Sequence, residues 1–329
     1  MHTNIDTPSG AILPRSSIKN LPVNLFGSVM GLAGLSLAWR LASKVFGTST
    51  LIAEIIGLVA ISVFIALALG YLAKWARHPH VVTGEFTHPT TGNFFGTITI
   101  SILLLSTVIG TYSKPLQAIT WATGTILTLA LSFVSVTRLL KGNVDSHHAV
   151  PAWLIPGVAT LDIAVAGGTL PMTWVQEVNL FASSAGTVIA IVFFTMIFSR
   201  LVHKTPLASG MIPSLMILIG PFEVGFLAYV NINHGVDTFA ALLFYFGLFL
   251  FIILAFIIFR PTNAFSPGWW AISFPMAALS NAALKYAAAR DLIALHYLAA
   301  AILAVVTVTI VVLFVRTIRV LFFGKLLHS

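Results

Sequence analysis

The chain contains no cysteine, so neither a disulfide nor a thiolate metal site is open to it, and its redox compartment cannot be read from cysteine usage. Charge is scarce as well. Asp, Glu, Lys and Arg make up 8% of the 329 residues, against about a quarter of an average soluble chain. With 58% hydrophobic residues and a mean hydropathy of +1.00, that scarcity excludes an ordinary soluble domain and points to an all-α polytopic membrane protein. Catalytic signatures are missing too: there is no His-Glu-x-x-His, no Gly-x-Ser-x-Gly and no P-loop. The chain therefore reads as no enzyme, with neither cofactor nor resident metal. An early apolar run ending in a small-residue cleavage site is absent. Residues 1–20 are polar, with Arg15 and Lys19 ahead of the first apolar run, and read as a cytoplasmic tail rather than a signal peptide.

What is present is a series of long apolar runs bounded by charge, Pro or Gly. They predict ten helices near 23–43, 49–75, 94–112, 115–140, 150–168, 173–199, 207–230, 236–259, 268–288 and 292–320. One membrane domain over 21–325, with a C-terminal tail at 326–329, accommodates them all. An even number of crossings puts both termini on one side. Twelve of the 17 Lys and Arg residues fall on that side, among them Arg15, Lys19, Lys74, Arg77, Arg138 and Lys325; the other side has Arg40, Lys44, Lys114, Lys285 and Arg290. Both termini are thus expected in the cytoplasm of a cell with the protein in its inner (plasma) membrane. Positive loops also account for most of the net charge of +8, which argues against a nucleic-acid partner.

The ten runs are of two kinds. Odd-numbered ones are interrupted, by Gly27, Gly31 and Gly34 in the first, Pro156 in the fifth, Pro213 and Pro221 in the seventh and Pro275 in the ninth; the third has Gly96 and Gly110 but no proline. Even-numbered ones are largely unbroken Leu, Ile, Val, Ala and Phe, as in 242–259 and 298–315. Unbroken apolar helices suit lipid or an outer packing layer. The simplest architecture is five helical hairpins, with odd helices inside and even helices outside.

The ninth run organises the rest. Ser266-Pro267-Gly268-Trp269-Trp270 leads into Ser273-Phe274-Pro275-Met276 and on to Lys285-Tyr286 and Arg290. Pro275 has no N–H, so a helix through it leaves the carbonyl of Ala271 without its usual donor and should bend there. Lipid cannot satisfy that carbonyl, which makes this a candidate pore-lining helix. At i, i+7 and i+11, Phe274, Asn281 and Lys285 share one stripe, and Ser273 and Asn281 are its candidate polar groups. The pattern leaves two readings of Phe274, a plug or one more packed aromatic among 25 phenylalanines. Lys285 and Arg40 likewise either draw anions to an outer mouth or reach from helix ends to headgroups.

These residues resemble a known family. Trp269-Trp270, Phe274-Pro275-Met276 and Lys285-Tyr286 are similar to the ninth helix of the bacterial tellurite-resistance and plant slow-anion-channel proteins, also called the tellurite-resistance/dicarboxylate transporter family. Phe26-Gly27, Leu37-Ala38-Trp39-Arg40, Pro151 with Pro156-Gly157, Gly220-Pro221 with Ala228-Tyr229, and Ile232-Asn233-His234-Gly235 match in the same order, over roughly 20–325. The resemblance implies a quasi-five-fold inner ring of helices around a pore, a phenylalanine gate at Phe274, a basic residue at Lys285, frequent assembly as a homotrimer, and small inorganic or organic anions as cargo. Chloride, nitrate, sulfite, malate and, by phenotype, tellurite all fall within the family's range.

Three carboxylates lie within the runs: Glu54, Asp162 and Glu223. Asp162 sits about 18 Å along its run, near mid-bilayer, where an ionised carboxylate is costly. Asp162 and Glu223 are therefore either neutral structural groups or proton carriers, and the second reading makes the protein a proton-coupled transporter of dicarboxylate, sulfite or tellurite-type oxyanions. Glu54, near the outer end of its run, is expected to meet Lys44, Lys114 or water. The stretch from Arg77 to Pro89 gathers His78, His80, His88 and Glu85, but its two His-Pro bonds favour an extended loop over converging metal ligands. His147-His148 reads as a solvated loop.

Overall fold

A computed structural model describes residues 17–142, 145–260 and 265–322. The tails expected at 1–20 and 326–329, with Arg15 and Lys325, lie wholly or mostly outside the described residues. Among those described there is no strand. Eleven α-helices follow one another: α1 (Phe26–Phe46), α2 (Leu51–Arg77), α3 (Pro79–Thr87), α4 (Gly96–Ile109), α5 (Lys114–Leu140), α6 (Ile155–Gly167), α7 (Thr173–His203), α8 (Gly220–Asn233), α9 (Thr238–Ile258), α10 (Ser273–Arg290) and α11 (Ile293–Phe322). Among the described residues, eight helical segments are long and apolar enough to cross a membrane, and Pro151–Gly167 is a shorter apolar helix. The segment from Pro267 to Arg290, richer in small and polar residues, is not one of the eight.

The interruptions foreseen in odd runs take a specific form. Short 3₁₀ stretches, Val23–Leu25, Thr91–Phe95, Pro151–Leu154, Ser209–Ile219 and Pro267–Ile272, lead into α1, α4, α6, α8 and α10. Pro275 therefore does not bend a continuous α-helix. It occupies the first turn of α10, as Pro156 and Pro221 occupy the first turns of α6 and α8. First-turn N–H groups have no acceptor in their own helix, so a proline costs little there. The same junction occurs without proline before α1 and α4, where glycine is close by at Gly27 and Gly96.

Burial separates the helices sharply. In the most apolar windows, 78% of Val23–Phe46 and 78% of Ser209–Asn233 is buried, against 17% of Leu51–Arg77 and 28% of Thr238–Ile258. Large apolar side chains such as Leu69, Phe133, Val188, Phe256 and Val308 stand exposed on α2, α5, α7, α9 and α11. Contiguous apolar surface on that scale is tolerated in lipid or against another protein, not in water. Each buried helix packs against its exposed successor: α1 with α2, α4 with α5, α6 with α7, α8 with α9, α10 with α11. The buried ones also touch in cyclic order, α1 to α4, α4 to α6, α6 to α8, α8 to α10 and α10 back to α1.

Close approach at the α1–α10 contact depends on Gly31, where a Cβ would collide with the Ser273 side chain. Ser273 Oγ donates to the carbonyl of Gly27 at 3.0 Å, and Asn281 Nδ2 to that of Gly34 at 2.9 Å. In an apolar core these side-chain bonds hold the register of two helices that have few other polar contacts.

The stretch expected as an extended His-Pro loop is instead the helix α3. Pro79 stands at its first position, where proline's fixed φ suits a helix start. Glu85 on α3 pairs with Lys74 of α2 and accepts from Tyr71 Oη at 2.6 Å, while the buried Lys74 also donates to the Leu21 carbonyl at 2.8 Å. Glu85 is thus committed to docking α3, and among the described residues no cluster of three potential metal ligands occurs. Glu54 forms no ion pair with Lys44 or Lys114, since Lys74–Glu85 is the one salt bridge between described residues.

Candidate functional site

Two cavities lie inside the group of buried helices, one toward each end. The first, about 250 Å³, is reached from the side of the 3₁₀ stretches and is lined by residues such as Asn24, Met30, Thr97, Ser214, Trp270 and Ala271, with no charged side chain. The second, about 290 Å³, lies toward the opposite helix ends and is lined by Arg40, Lys44, Lys114 and Lys285, four cations facing one carboxylate, Asp162. Phe274 lines both. It is 6% exposed, and Pro275 beside it faces the uncharged cavity.

The local folding explains these positions. The 3₁₀-to-α junction before Ser273 sets Phe274 one residue into α10, at the level where the uncharged cavity ends. Further along, Asn281 and Lys285 reach the cationic cavity, as their shared stripe with Phe274 requires. Lys285 Nζ donates to Asn231 Oδ1 at 2.6 Å, and Asn231 Nδ2 donates in turn to the carbonyl of Val165 at 2.9 Å, so α8 fixes the lysine against α6. Arg40 has two guanidinium nitrogens, Nε and Nη2, buried without an acceptor. Lys44 and Lys114 are exposed, and Lys114 donates to Gln117 Oε1 at 3.1 Å.

The residues singled out in sequence do not all meet here. Phe274, Asn281, Lys285, Arg40 and Asp162 share the cationic cavity. Ser273 is fully buried in the α1–α10 contact and lines neither cavity. Glu223 is fully buried on α8 beside Gly247 of α9, where a Cβ would strike its carboxylate, and it too lies off both cavities. Pro156 and Pro221 shape helix starts without lining either space, although Gly220 does line the uncharged one. Asp162 is 1% exposed and its Oδ2 has no hydrogen-bond partner. Three contributors were not singled out as site residues from sequence. Lys44 and Lys114 carried a readable signal, being cations at the same helix ends as Arg40. Asn231 carried none, because its partners lie on two other helices.

Comparison with known proteins decides the family. A family model described as SLAC1, voltage-dependent anion channel, matches residues 20–318. The chain belongs to this family. Among its curated relatives, it is 28% identical over 269 residues to the tellurite resistance protein TehA homologue of Haemophilus influenzae, covering 81% of each chain. It is 25% identical over 315 residues to the guard cell S-type anion channel SLAC1 of Arabidopsis thaliana, covering 90% of this chain and 55% of that one, and 24% identical over 275 residues to the S-type anion channel SLAH2 of the same plant, 80% and 52%. Membership in a family of anion channels places the chain among membrane transport proteins and outside the enzymes. Four cations against one carboxylate make the second cavity the more positive of the two.

Proposed function

We propose that this protein passes small inorganic or organic anions across the inner (plasma) membrane through a central pore formed by α1, α4, α6, α8 and α10, with Phe274 as the closed gate. The observation that carries this reading is that Phe274, alone of the described aromatic side chains, lines both cavities. The pore ring is supported by the cyclic packing of the buried helices, and five hairpins by the pairing of each with its exposed successor. Ten crossings need two beyond the eight apolar ones. At about 2.0 Å per 3₁₀ residue and 1.5 Å per α residue, Pro151–Gly167 rises about 28 Å and Pro267–Arg290 about 39 Å, comparable with a hydrocarbon core of about 30 Å.

Weak, multiple contacts in the cationic cavity suit conduction better than a tight cage, because an ion must leave as well as enter. This reading puts both termini in the cytoplasm, with the turn at His234 outside. Reporter fusions at Ser329 and His234 test this, and an external C-terminus reverses the direction of the pathway. A homotrimer in the lipid bilayer completes the proposal, on the family resemblance and on broad apolar outer faces that lipid or a second copy would cover; the mass of the protein in lipid nanodiscs tests it.

The decisive experiment is anion flux into liposomes carrying wild type or Phe274→Ala. Faster flux in a normally folded variant supports the gate, and equal flux removes it. One observation favours a second reading, proton-coupled transport of dicarboxylate, sulfite or tellurite-type oxyanions. Asp162 is buried in the cationic cavity with an unpartnered oxygen, the setting of a carboxyl that exchanges a proton. Glu223, off both cavities, has no comparable access to a moving anion. Uptake against the anion gradient when a pH difference is imposed distinguishes this coupled carrier from a channel.

A further inference from the structure

A third space lies outside the helix ring, between the C-terminal end of α7 and the segment 146–153 that leads into α6. It measures about 710 Å³ and no part of the anion pathway described above opens into it. Two of its lining side chains come from different elements and are both more than nine-tenths buried: Arg200 on α7, 8% exposed, and Trp153 in the 3₁₀ stretch, 3% exposed. Arg200 Nε and Nη1 and Trp153 Nε1 are all buried without an acceptor. Donors of this kind are seldom left unpaired, because a buried N–H with no acceptor forfeits its hydration for nothing. The cavity is therefore short of acceptor oxygens, and it is short of negative charge.

His203 and Lys204 line the same cavity at its charged end. One carboxylate is near: Asp145 lies within electrostatic reach of Lys204, but it is occupied in capping the turn at 146–148, where it accepts from the His147 N–H at 2.9 Å. The opposite end of the cavity is apolar, formed by Ile191, Val192 and Met196, which stand exposed on the outer face of α7. Along one groove, an apolar helix face thus runs into a buried, unpaired guanidinium at the end of a membrane helix.

We propose that this groove binds an anionic glycerophospholipid from the leaflet on the side of the chain termini. Its phosphate accepts from the Arg200 guanidinium and from the Trp153 N–H, Lys204 lies beside the headgroup, and an acyl chain runs along Ile191, Val192 and Met196. A phosphate diester supplies several acceptor oxygens, enough for charge-assisted bonds from Arg200 together with one from the Trp153 N–H. Basic pockets between helices at this depth are suited to anionic headgroups, whereas a choline headgroup brings a cation next to Arg200 and Lys204.

The test uses the full-length protein, delipidated in detergent and then given phosphatidylglycerol or phosphatidylcholine, with bound lipid counted by native mass spectrometry and unfolding temperature measured alongside. Wild type is expected to retain phosphatidylglycerol over phosphatidylcholine and to unfold at higher temperature with it. Arg200→Gln should retain roughly tenfold less phosphatidylglycerol, as loss of a charge-assisted hydrogen bond implies. Trp153→Phe should lose less, and Arg319→Gln, an exposed cation at the end of α11, should behave as wild type. Should Arg200→Gln not fold, Arg200→Lys serves, with retention between wild type and Trp153→Phe. Undiminished retention by both Arg200→Lys and Trp153→Phe overturns the site. Glycerol phosphate added without lipid distinguishes the sources: an equal rise in unfolding temperature from it, lost in the Arg200 variant, assigns a soluble phosphate ligand and overturns the lipid.

Discussion

The two cavities on either side of Phe274 are nearly equal in size, about 290 and 250 Å³, and are walled by the same helices, yet one presents four cations and the other none. The difference follows from where each helix changes type. Toward the terminal side the buried helices begin as 3₁₀ stretches that bring up Asn24, Ile217 and Trp270, and toward the other side they are regular α-helix ends that bring up Arg40, Lys44 and Lys285. On the channel reading proposed above, anions gather at one end and meet an uncharged passage at the other, so that the barrier between the two is the bulk of a ring and not a charge. On the same reading a neutral far side lets an ion go, where a second group of cations would hold it.

The largest effect should come from removing what divides the cavities. Phe274→Ala joins them, and since about 1.4 kcal/mol of barrier is tenfold in rate, anion flux into liposomes should rise by roughly tenfold or more. Phe274→Leu, keeping most of the bulk, should raise it less, and Phe251→Ala, in the outer helix α9, should not raise it. Truncating a packed core phenylalanine costs about 3–5 kcal/mol. Thermal stability of Phe274→Ala near wild type, together with the rise in flux, therefore marks a gate. A large loss of stability with no rise marks packing.

Next in size is coupling. Asp162→Asn should abolish accumulation driven by a pH difference while leaving passive exchange, if Asp162 carries a proton; unchanged accumulation leaves the channel reading standing alone. Erasing the charge difference between the cavities should matter somewhat less. Lys285→Gln with Arg40→Gln is expected to lower flux from the cationic side by about two- to fivefold at low salt, since a charge several ångströms away is worth on the order of 1 kcal/mol at intermediate dielectric. Near 1 M salt, where the screening length falls to about 3 Å, the deficit should shrink. A deficit independent of ionic strength removes the steering role. The smallest effect belongs to Asn231→Ala, which frees Lys285 without removing its charge. About a twofold change in flux, in the same salt-dependent sense, is expected from losing one hydrogen bond.

Much of this organisation was legible in the chain because it rests on local and one-dimensional properties. Apolar runs of spanning length, Pro156, Pro221 and Pro275 at the interruptions, and the Phe274–Asn281–Lys285 stripe all follow from helical periodicity and from what proline lacks. The form of the interruption was not legible: proline forbids one backbone bond but does not say whether the chain bends or winds into 3₁₀ helix. Similarly, His78-Pro79 permits a helix start as well as an extended loop, and the contact of Glu85 with Lys74 and Tyr71 favours the helix α3. That contact joins two segments whose pairing no local pattern announces.

By itself the sequence determined that this is a helical membrane protein, which runs are interrupted and which are unbroken, and where its cations fall relative to helix ends. The tertiary structure alone decided which polar groups share a space. Asp162 and Glu223 are equivalent in sequence, each a lone acid in an apolar run, yet the rotation of α6 turns one toward the cationic cavity and that of α8 turns the other toward Gly247. Adjacent on α10, Ser273 and Phe274 part in the same way, one bonded to the α1 backbone and the other between the cavities. Helical phase against neighbours from distant parts of the chain sets these outcomes, and a single sequence carries that phase only through the packing it produces.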